Sequence, residues 1–364
     1  MLRKGLFALL IILLLTVLYF LAWPVPIEPV AWKAPPNPGY TGPFAQNELL
    51  KAIEFLKIGT NHGPEDVALD DQGRIYLGTH EGVIVRLQPD GTKPENWVYT
   101  NGRPLGIDFD NAGNLIVADA FRGLLLISPE GKIIELATVA DGIPIRYADD
   151  VDCAADGKIY FSDASTKVGP TGSGGIEGSL LDIMEHGGHG RLLVYDPATR
   201  QAKTLLSGLN FANGVAVNQD QNCVLINETG SYRVIRYWIA GPHKGKSEPI
   251  IENLPGFPDN ISTGLEVRFW VALISPRNKL VDDLSEKPFL RKVILRIPKF
   301  MQPAATAYGH IIAIDGNGKV LENLQDPKTA YAQNTSVTET KEFLYIGSVI
   351  SPVVARLAKS KVGL

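Results

Sequence analysis

The sequence has few cysteines and no excess of positive charge, and each shortage excludes a class of protein. Cys153 and Cys223 are the only cysteines among 364 residues. Two cysteines cannot form a disulfide framework, and their spacing is not that of a CxxC zinc site. We expect two unpaired, buried thiols. The net charge is −4 at pH 7, so the chain lacks the basic surface of a nucleic-acid-binding protein.

Patterns of long helices are also scarce, because residues that favour turns are frequent. The chain contains 36 glycines and 25 prolines, with aromatic residues scattered throughout. It is 45% hydrophobic and 20% charged, which is typical of a folded chain rather than a disordered one. This composition indicates a mainly β protein with one large domain or two ordinary ones.

One long apolar run occupies the N-terminus. Residues 5–23 contain no charged side chain, and a helix of that length spans about 28 Å, close to the thickness of a bilayer core. A cleaved signal peptide is the alternative, but its apolar region is usually shorter and ends in small residues. We expect residues 1–23 to be an uncleaved anchor that contacts the lipid bilayer through residues 5–23. Arg3 and Lys4 precede the run, which predicts a cytoplasmic N-terminus and an extracytoplasmic remainder, either periplasmic or lumenal/extracellular.

Residues 24–44 follow the anchor and carry seven prolines with little hydrophobic periodicity. This composition predicts a stiff, extended stalk between the bilayer and the folded domain.

The rest of the chain contains an internal repeat. Each copy has an alternating strand, a turn built on Asp, Asn and usually Gly, and a second strand of β-branched and aromatic residues. The clear copies span residues 63–79, 103–119, 147–163 and 211–228, and weaker ones start at Phe257 and near Asn334. Further strands follow most copies, so residues 45–364 predict an all-β, six-bladed propeller. We expect an early strand at residues 53–58 to complete the last blade.

Two segments, residues 164–190 and residues 275–307, interrupt the repeat. Both follow a second strand, so they should overhang the same face. The first contains Glu185-His-Gly-Gly-His189, whose two histidines beside a carboxylate suggest a transition-metal site. Its glycines disfavour the rigid helix that such a site needs. We interpret the motif as a loop over the propeller mouth in which His186 and His189 contact substrate.

The residues that open the first strand of each repeat should converge on the propeller axis. Converging carboxylates raise one another's pKa unless a cation lies between them. Oxygen ligands favour Ca²⁺, and the absence of His and Cys from these positions argues against zinc. Any one such residue is more simply a turn residue bonded to backbone N–H groups, but four at one repeat phase favour a divalent-cation site. The opening residues are Glu65, Leu105, Asp149, Asn213, Asp259 and Thr335 or Asn334.

Polar residues also close the second strands, 14 or 15 residues after the opening residue. A hairpin with arms of constant length returns both residues to the same edge of the sheet. Asp119, Asp163 and Glu228, together with Thr335, are therefore weaker candidates for substrate contact.

Five motifs carry a family resemblance. They are Arg103-Pro-Leu-Gly, Ala118-Asp-Ala-Phe-Arg-Gly-Leu-Leu, Gly190-Arg-Leu-Leu-Val-Tyr-Asp-Pro-Ala-Thr, Phe211-Ala-Asn-Gly-Val-Ala and Leu254-Pro-Gly-Phe-Pro-Asp-Asn-Ile. Through them the chain resembles the six-bladed propellers of the strictosidine synthase-like, SMP-30/gluconolactonase and paraoxonase superfamily, and most closely the strictosidine synthase-like branch.

The resemblance implies a catalytic calcium ion, which the hydrolytic members bind through a Glu of the first blade, two blade-opening Asn residues and an Asp. The matching residues are Glu65, Asp149, Asn213 and Asp259, with Asn260 as a further ligand. Asp149 departs from the usual Asn and adds a negative charge. The resemblance also implies that Asp259 is the catalytic nucleophile or base.

Two other chemistries of the superfamily do not carry over. Strictosidine synthases use a glutamate that opens the last blade, where this chain has Thr335, and the paraoxonase histidine is replaced by Asp119-Ala120. We therefore predict a membrane-anchored, calcium-dependent hydrolase of small lactones or aryl esters. The alternatives are a non-catalytic binding propeller at the membrane and a strictosidine synthase-like enzyme that forms C–C bonds, which Thr335 disfavours.

Overall fold

The computed structural model describes residues 2–171, 176–329 and 331–364. Residues 172–175 of the first predicted insert therefore lie outside the described residues. The α-helices in the described ranges are α1 (Leu2–Ala22), α2 (Ile176–Glu185), α3 (Lys279–Asp283) and α4 (Pro288–Arg296).

The strands of the described ranges form six antiparallel blades around a central axis, which confirms the predicted fold. The first strand of the chain, β1 (Glu54–Lys57), belongs to blade 6. Blade 1 consists of β2 (Val67–Leu69), β3 (Ile75–Gly78), β4 (Val83–Leu87) and β5 (Glu95–Tyr99), and blade 2 of β6 (Pro104–Phe109), β7 (Leu115–Asp119), β8 (Gly123–Ile127) and β9 (Ile133–Ala137). Blade 3 consists of β12 (Ala148–Cys153), β13 (Ile159–Asp163), β14 (Gly190–Asp196) and β15 (Gln201–Leu209), with a small added hairpin of β10 (Val139–Ala140) and β11 (Ile143–Pro144). Blade 4 consists of β16 (Ala212–Val217), β17 (Cys223–Glu228), β18 (Arg233–Trp238) and β19 (Ser247–Ile251), and blade 5 of β20 (Gly256–Thr263), β21 (Arg268–Pro276), β22 (Gly309–Asp315) and β23 (Val320–Asp326). Blade 6 consists of β24 (Asn334–Glu339), β25 (Phe343–Ser348), β26 (Val353–Ala358) and β1.

Blade 6 combines strands from both ends of the chain, as the sequence predicts. Strand β1 pairs antiparallel with β26, so that Leu56 lies opposite Val354. Both side chains are buried in an apolar cluster shared with blade 1. The pairing closes the ring and leaves no open gap between the last blade and the first.

Alternating strand residues pack against the two neighbouring blades. In β13, Phe161 faces a cluster shared with blade 2, whereas Tyr160 faces a cluster shared with blade 4. Apolar clusters of this kind fill each of the six spaces between blades in the described part of the chain. Because both faces of every blade are covered, the strands are rich in Ile, Val and Leu on both sides.

Side chains also tie the innermost strands of neighbouring blades to one another. The links include Asp66 Oδ2 with the Ile107 N–H at 3.0 Å, Asp150 Oδ2 with the Val215 N–H at 2.8 Å, and Thr263 Oγ1 with the Val217 carbonyl oxygen at 2.7 Å. The first strands of neighbouring blades do not pair with one another through backbone hydrogen bonds in the described part of the chain. These side-chain contacts therefore fix the spacing of the first strands around the axis.

Both inserts lie on the same face, as predicted. The first follows β13 and contains α2, and the second follows β21 and contains α3 and α4. Side chains from both inserts line one cleft at the propeller mouth.

The segment 24–44 is extended but is not the free stalk that its prolines predict. It crosses the inserts and packs on them: the Val30 N–H donates to the Glu185 carbonyl oxygen at 2.9 Å and the Trp32 N–H to the Ser285 carbonyl oxygen at 3.1 Å. Ile27 is buried. Prolines keep the backbone extended, while the few apolar side chains between them provide a packing surface that composition alone does not reveal.

Cys153 and Cys223 are both free thiols. Cys223 is buried as predicted, but Cys153 is only half-buried, because it is at the end of a first strand.

Removal of the Leu56 side chain tests the closure of the ring. We expect Leu56→Ala to lower the free energy of unfolding by about 2–4 kcal/mol, because it leaves a cavity between blades 6 and 1. Lys57→Ala is the matched control: Lys57 is the next residue of the same strand and is exposed, so its loss should change stability by less than about 0.5 kcal/mol. Denaturant unfolding of the full-length protein in detergent measures both. Equal effects would contradict the packing of β1 in blade 6.

Candidate metal site at the propeller mouth

The blade-opening residues lie in β-bulges. In blades 2 to 6 the pairing of the first and second strands shifts register at the same place, which leaves two residues of the first strand without a partner. The first residue of each bulge is a blade-opening residue: Leu105, Asp149, Asn213, Asp259 and Thr335. A bulge bends its strand and redirects side chains, which explains how residues of equal phase come to point at the axis.

Three blade-opening carboxylates meet among the described residues. One oxygen atom from each of Glu65, Asp149 and Asp259 lies within 4.8 Å of the other two, and all three side chains are buried. Asn213 joins them, since its Nδ2 donates to Asp259 Oδ1 at 2.5 Å. The structure thus brings together the four residues that the family resemblance assigns to calcium. We call this group the carboxylate cluster.

A buried arginine that sequence reasoning missed also contacts the cluster. Arg103 Nη2 donates to Glu65 Oε2 at 2.9 Å, and Arg103 Nη1 donates to the Gly63 carbonyl oxygen at 3.2 Å. Arg103 stands two residues before the opening residue of its blade. The repeat already marked this position, because the corresponding residues of other blades also reach the mouth: Tyr147, Phe211, Phe257 and Gln333.

Burial and repulsion between charges disfavour full ionisation of the cluster. Burial raises the pKa of Asp149 well above its ordinary value, and the charges of Glu65 and Asp259 raise it further. Burial and Glu65 likewise raise the pKa of Asp259, although the Asn213 hydrogen bond opposes them. Burial raises the pKa of Glu65 as well, against the attraction of Arg103. A proton or a cation would relieve this cost.

The cluster offers the oxygen atoms that a metal ion needs. Asp149 Oδ1, Asn213 Oδ1 and Asp259 Oδ2 are buried and accept no hydrogen bond from the described residues. Buried polar atoms are nearly always paired in folded proteins, so three unpaired oxygens on residues of one cluster indicate a missing partner. Carboxylate and amide oxygens are the ligands that Ca²⁺ prefers. The residues present therefore fit Ca²⁺.

A largely apolar cleft adjoins the cluster and encloses about 1190 Å³, part of it open to solvent. Its floor contains the four residues of the cluster. Its walls come from the inserts and from the aromatic residues that precede the bulges, among them Leu180, Met184, Phe211, Phe257, Ile294 and Leu295. A ligand that reaches the cluster must therefore present a polar end to it and an apolar body to the walls.

The residues that close the second strands stabilise the hairpins. Each carboxylate accepts a backbone N–H from the start of its own blade: Asp119 from Arg103 at 3.0 Å, Asp163 from Tyr147 at 2.9 Å, and Glu228 from Asn210 at 2.9 Å. All three are completely buried and lie outside the lining of the cleft. Their placement gives no support to the predicted contact with substrate, because hairpin arms of constant length serve a structural bond equally well.

The Glu185-His-Gly-Gly-His189 motif holds the N-terminal segment. His186 stacks on Trp32 with ring centroids 3.9 Å apart, and burial lowers its pKa to about 3. His189 Nε2 lies 2.9 Å from Glu185 Oε1, and Glu185 also accepts the Glu28 N–H at 3.1 Å. Neither histidine lines the cleft. Helix α2 ends at Glu185, and residues 186–189 form the predicted loop, which contacts the N-terminal segment through His186 and not the cleft.

Two further predicted residues also lie outside the cleft lining. Thr335 Oγ1 donates to the Glu65 carbonyl oxygen at 2.6 Å and so links blade 6 to blade 1. Asn260 follows Asp259 in the same bulge and is buried, with both amide atoms unpaired among the described residues. A metal contact of Asn260 stays a prediction.

The chain is similar to known proteins in both sequence and fold. The strictosidine synthase profile matches residues 149–242, and the profile of the N-terminal part of strictosidine synthase-like proteins matches residues 42–87. The chain is 35% identical over 327 residues to strictosidine synthase-like protein 7 of Arabidopsis thaliana, which covers 86% of this chain and 84% of the relative. It is 31% identical over 360 residues to adipocyte plasma membrane-associated protein of Rattus norvegicus, which covers 92% and 93%. A gluconolactonase structure from Xanthomonas campestris has a TM-score of 0.61 at 15% identity, covers 90% of this chain and 99% of that chain, and shares the fold.

Substitution of Arg103 tests its pairing with Glu65. We expect Arg103→Met to lower the free energy of unfolding by about 3–5 kcal/mol, because it leaves a buried carboxylate without its partner. Arg103→Met combined with Glu65→Gln should recover most of this loss, since the Glu65 charge that Arg103 balances is then absent as well. A double-mutant cycle by denaturant unfolding in metal-free buffer measures the coupling. Additive losses would show that the two residues do not stabilise each other.

Proposed function

Because the chain belongs to the strictosidine synthase-like family, we propose that it is a membrane-anchored hydrolase of lactones or aryl esters that uses Ca²⁺ bound to the carboxylate cluster. The observation that carries this proposal is the group of unpaired, buried oxygens at the floor of an apolar cleft. A structural cluster with no ligand would be expected to satisfy its own oxygens.

The charges of the cluster support a divalent cation. Glu65, Asp149 and Asp259 contribute three negative charges when ionised, and Arg103 contributes one positive charge. The net charge of −2 is balanced by one Ca²⁺. Arg103 thereby offsets the extra charge of Asp149, the one position at which this chain departs from the ligand set of its hydrolytic relatives.

Glu65, Asp149, Asn213 and Asp259 would hold the ion, which when bound would polarise the substrate carbonyl and stabilise negative charge on its oxygen. Asn213 orients Asp259 by donating to Oδ1. A carboxylate has about four lone-pair sites on its two oxygens, so Asp259 can contact the ion and still use a second lone pair of Oδ2 for chemistry. As a base, Asp259 Oδ2 takes a proton from a water molecule, and the oxygen of that water bonds to the acyl carbon of the substrate. The bond between the acyl carbon and the leaving-group oxygen then breaks, and the proton passes from Asp259 to that oxygen. As a nucleophile, the same oxygen would form an acyl-enzyme that water then hydrolyses.

The cleft walls favour substrates with an apolar body. Phe211 and Phe257 stand beside the cluster, and the inserts add aliphatic side chains opposite them. These side chains exclude water from the reacting end of the substrate, which strengthens electrostatic interactions there. An aryl ester or a lactone with a hydrocarbon substituent matches this lining.

Helix α1 supports the membrane-anchored part of the proposal. The span Arg3–Ala22 has a mean hydropathy of 2.8, and none of it is buried inside the protein. The length fits a single crossing of a bilayer. Arg3 and Lys4 favour a cytoplasmic N-terminus, and the propeller would then be extracytoplasmic.

Calcium should stabilise the folded protein. An ion that binds only the folded state adds about 2.7 kcal/mol at a hundredfold excess over Kd, so the melting temperature should rise by several degrees in Ca²⁺ compared with chelator. Glu65→Gln and Asn213→Ala should shrink this difference. Asn317→Ala, at an exposed turn of blade 5, is the control and should keep it. An identical melting temperature in both buffers, with no metal by elemental analysis, would argue against the ion.

Hydrolysis should depend on Asp259 and on metal. We expect turnover of phenyl acetate and of an alkyl-substituted lactone to be abolished by chelator and restored by Ca²⁺. Asp259→Asn should lower kcat by about 10²–10⁴-fold, whereas Asp71→Asn, at an exposed turn of blade 1, should not. Activity that survives chelation or Asp259→Asn would overturn the mechanism. A folded, calcium-binding protein that turns over no ester or lactone would favour the alternative of a non-catalytic binding propeller.

A further inference from the structure

Helix α4 contacts both the N-terminal helix and the cleft. Arg296, its last residue, donates from Nε to the Trp23 carbonyl oxygen at 2.6 Å and from Nη1 to the Phe20 carbonyl oxygen at 2.8 Å. In the opposite direction, Tyr19 Oη donates to the Arg296 carbonyl oxygen at 2.9 Å. The last carbonyl groups of a helix have no partner within the helix, so Arg296 caps α1 and holds it against the second insert.

These contacts set the depth of α4 relative to a bilayer. Tyr19 and Trp23 are at the end of the apolar span, where aromatic side chains mark the boundary between hydrocarbon and water. Because Arg296 bonds to both ends of this aromatic turn, the C-terminal end of α4 must lie at the same boundary. The propeller is therefore not held away from the membrane by a spacer.

Large apolar side chains are exposed at both ends of α4 in the second insert. Phe300 is 88% exposed and Met301 is 59% exposed, and both follow Arg296 within five residues. Phe289 and Leu290 at the other end of α4 are 49% and 41% exposed. We call these four residues the insert surface. Several large apolar side chains exposed on one short segment are rarely left in water without a binding role.

Helix α4 and the segment after it also contribute side chains to the cleft. Ile294 and Leu295 line it, as do Gln302 and Pro303 just beyond Met301. Lys287 and Lys299 flank the insert surface and are exposed, which suits the phosphate layer of a lipid surface. Helix α4 and the residues after it thus line the cleft and also contact the end of α1.

From this geometry we propose that the insert surface docks into the leaflet that α1 leaves, so that the cleft opens at the lipid–water boundary and takes apolar esters or lactones dissolved in the membrane. The inference rests on the proposed anchoring by α1 and deepens the proposed function by naming the source of the substrate. The continuity of the insert surface with α1, through Arg296, is what identifies lipid as its occupant.

Fluorescence quenching in vesicles tests the docking. The full-length protein, with Cys153 and Cys223 replaced by alanine, carries one NBD-labelled cysteine and is reconstituted into phosphatidylcholine vesicles whose acyl chains bear a doxyl quencher. Phe300→Cys reports the insert surface and Leu13→Cys reports the middle of α1. Lys244→Cys is the control, because it lies between the third and fourth strands of blade 4 and antiparallel strands place that turn on the face opposite the inserts. We expect quenching at positions 300 and 13 and none at position 244.

Each other outcome is decisive. Quenching at position 13 without quenching at position 300 would retain the anchor and overturn the docking. Quenching at neither would overturn both. Equal quenching at 244 and 300 would also overturn the docking, because the face opposite the inserts would then contact lipid as much as the insert surface does. A blue-shifted but unquenched label at position 300 would mean that protein, such as a second copy, covers the surface. None of these readouts depends on turnover or calcium, so they are separate from a failure of the proposed hydrolysis.

Kinetics with two substrates test the route of entry. We expect Phe300→Asp with Met301→Asp to raise KM about tenfold for a long-chain ester presented in vesicles while leaving kcat and KM for water-soluble phenyl acetate unchanged. Val267→Asp is the matched control, because Val267 is 70% exposed between the first and second strands of blade 5, on the face opposite the inserts. An equal change for both substrates would indicate damage to the cleft and would contradict membrane entry.

Discussion

Closure of the ring by strands from both ends of the chain is the constraint on which the rest of the structure depends. Pairing of β1 with β26 fixes the last gap between blades, and the six first strands are then forced toward one axis. Three carboxylates that repel one another are held together by this convergence and by the apolar packing between blades, because these contacts are distributed around the whole ring. Repulsion within the carboxylate cluster is confined to one end of the axis, whereas the packing that opposes it extends over all six blades.

The candidate site arises where equivalent positions of the six blades carry different side chains. The same bulge recurs in blades 2 to 6, yet it presents Leu105 in one blade and Asp149 in the next. Two residues before the bulge, aromatic side chains form a wall, whereas Arg103 turns inward to neutralise Glu65. Identical backbone positions with different side chains thus produce a site with one charged floor and one apolar wall.

The face that carries the inserts also joins the propeller to the N-terminal helix. Trp32 stacks on His186 of the first insert, and Arg296 of the second insert caps α1. A segment that composition marks as a spacer is therefore a part of the folded structure. This arrangement fixes the orientation of the cleft relative to α1, which a flexible linker would leave undetermined.

The sequence by itself determined the features that depend on periodicity. These are the six blades, the strand borrowed from before the first repeat, the inserts on one face and the equal phase of Glu65, Asp149, Asn213 and Asp259, since strand alternation and turn residues are encoded locally. Tertiary structure alone decided which polar residues face the cleft and which form hydrogen bonds within their own hairpins. The reason is that the bulges, and contacts such as that of Arg103 with Glu65, bring together atoms that are distant in the chain. Tertiary structure also decided that the proline-rich segment packs and that α4 meets α1, since a local pattern records composition but not the surface against which a segment comes to lie.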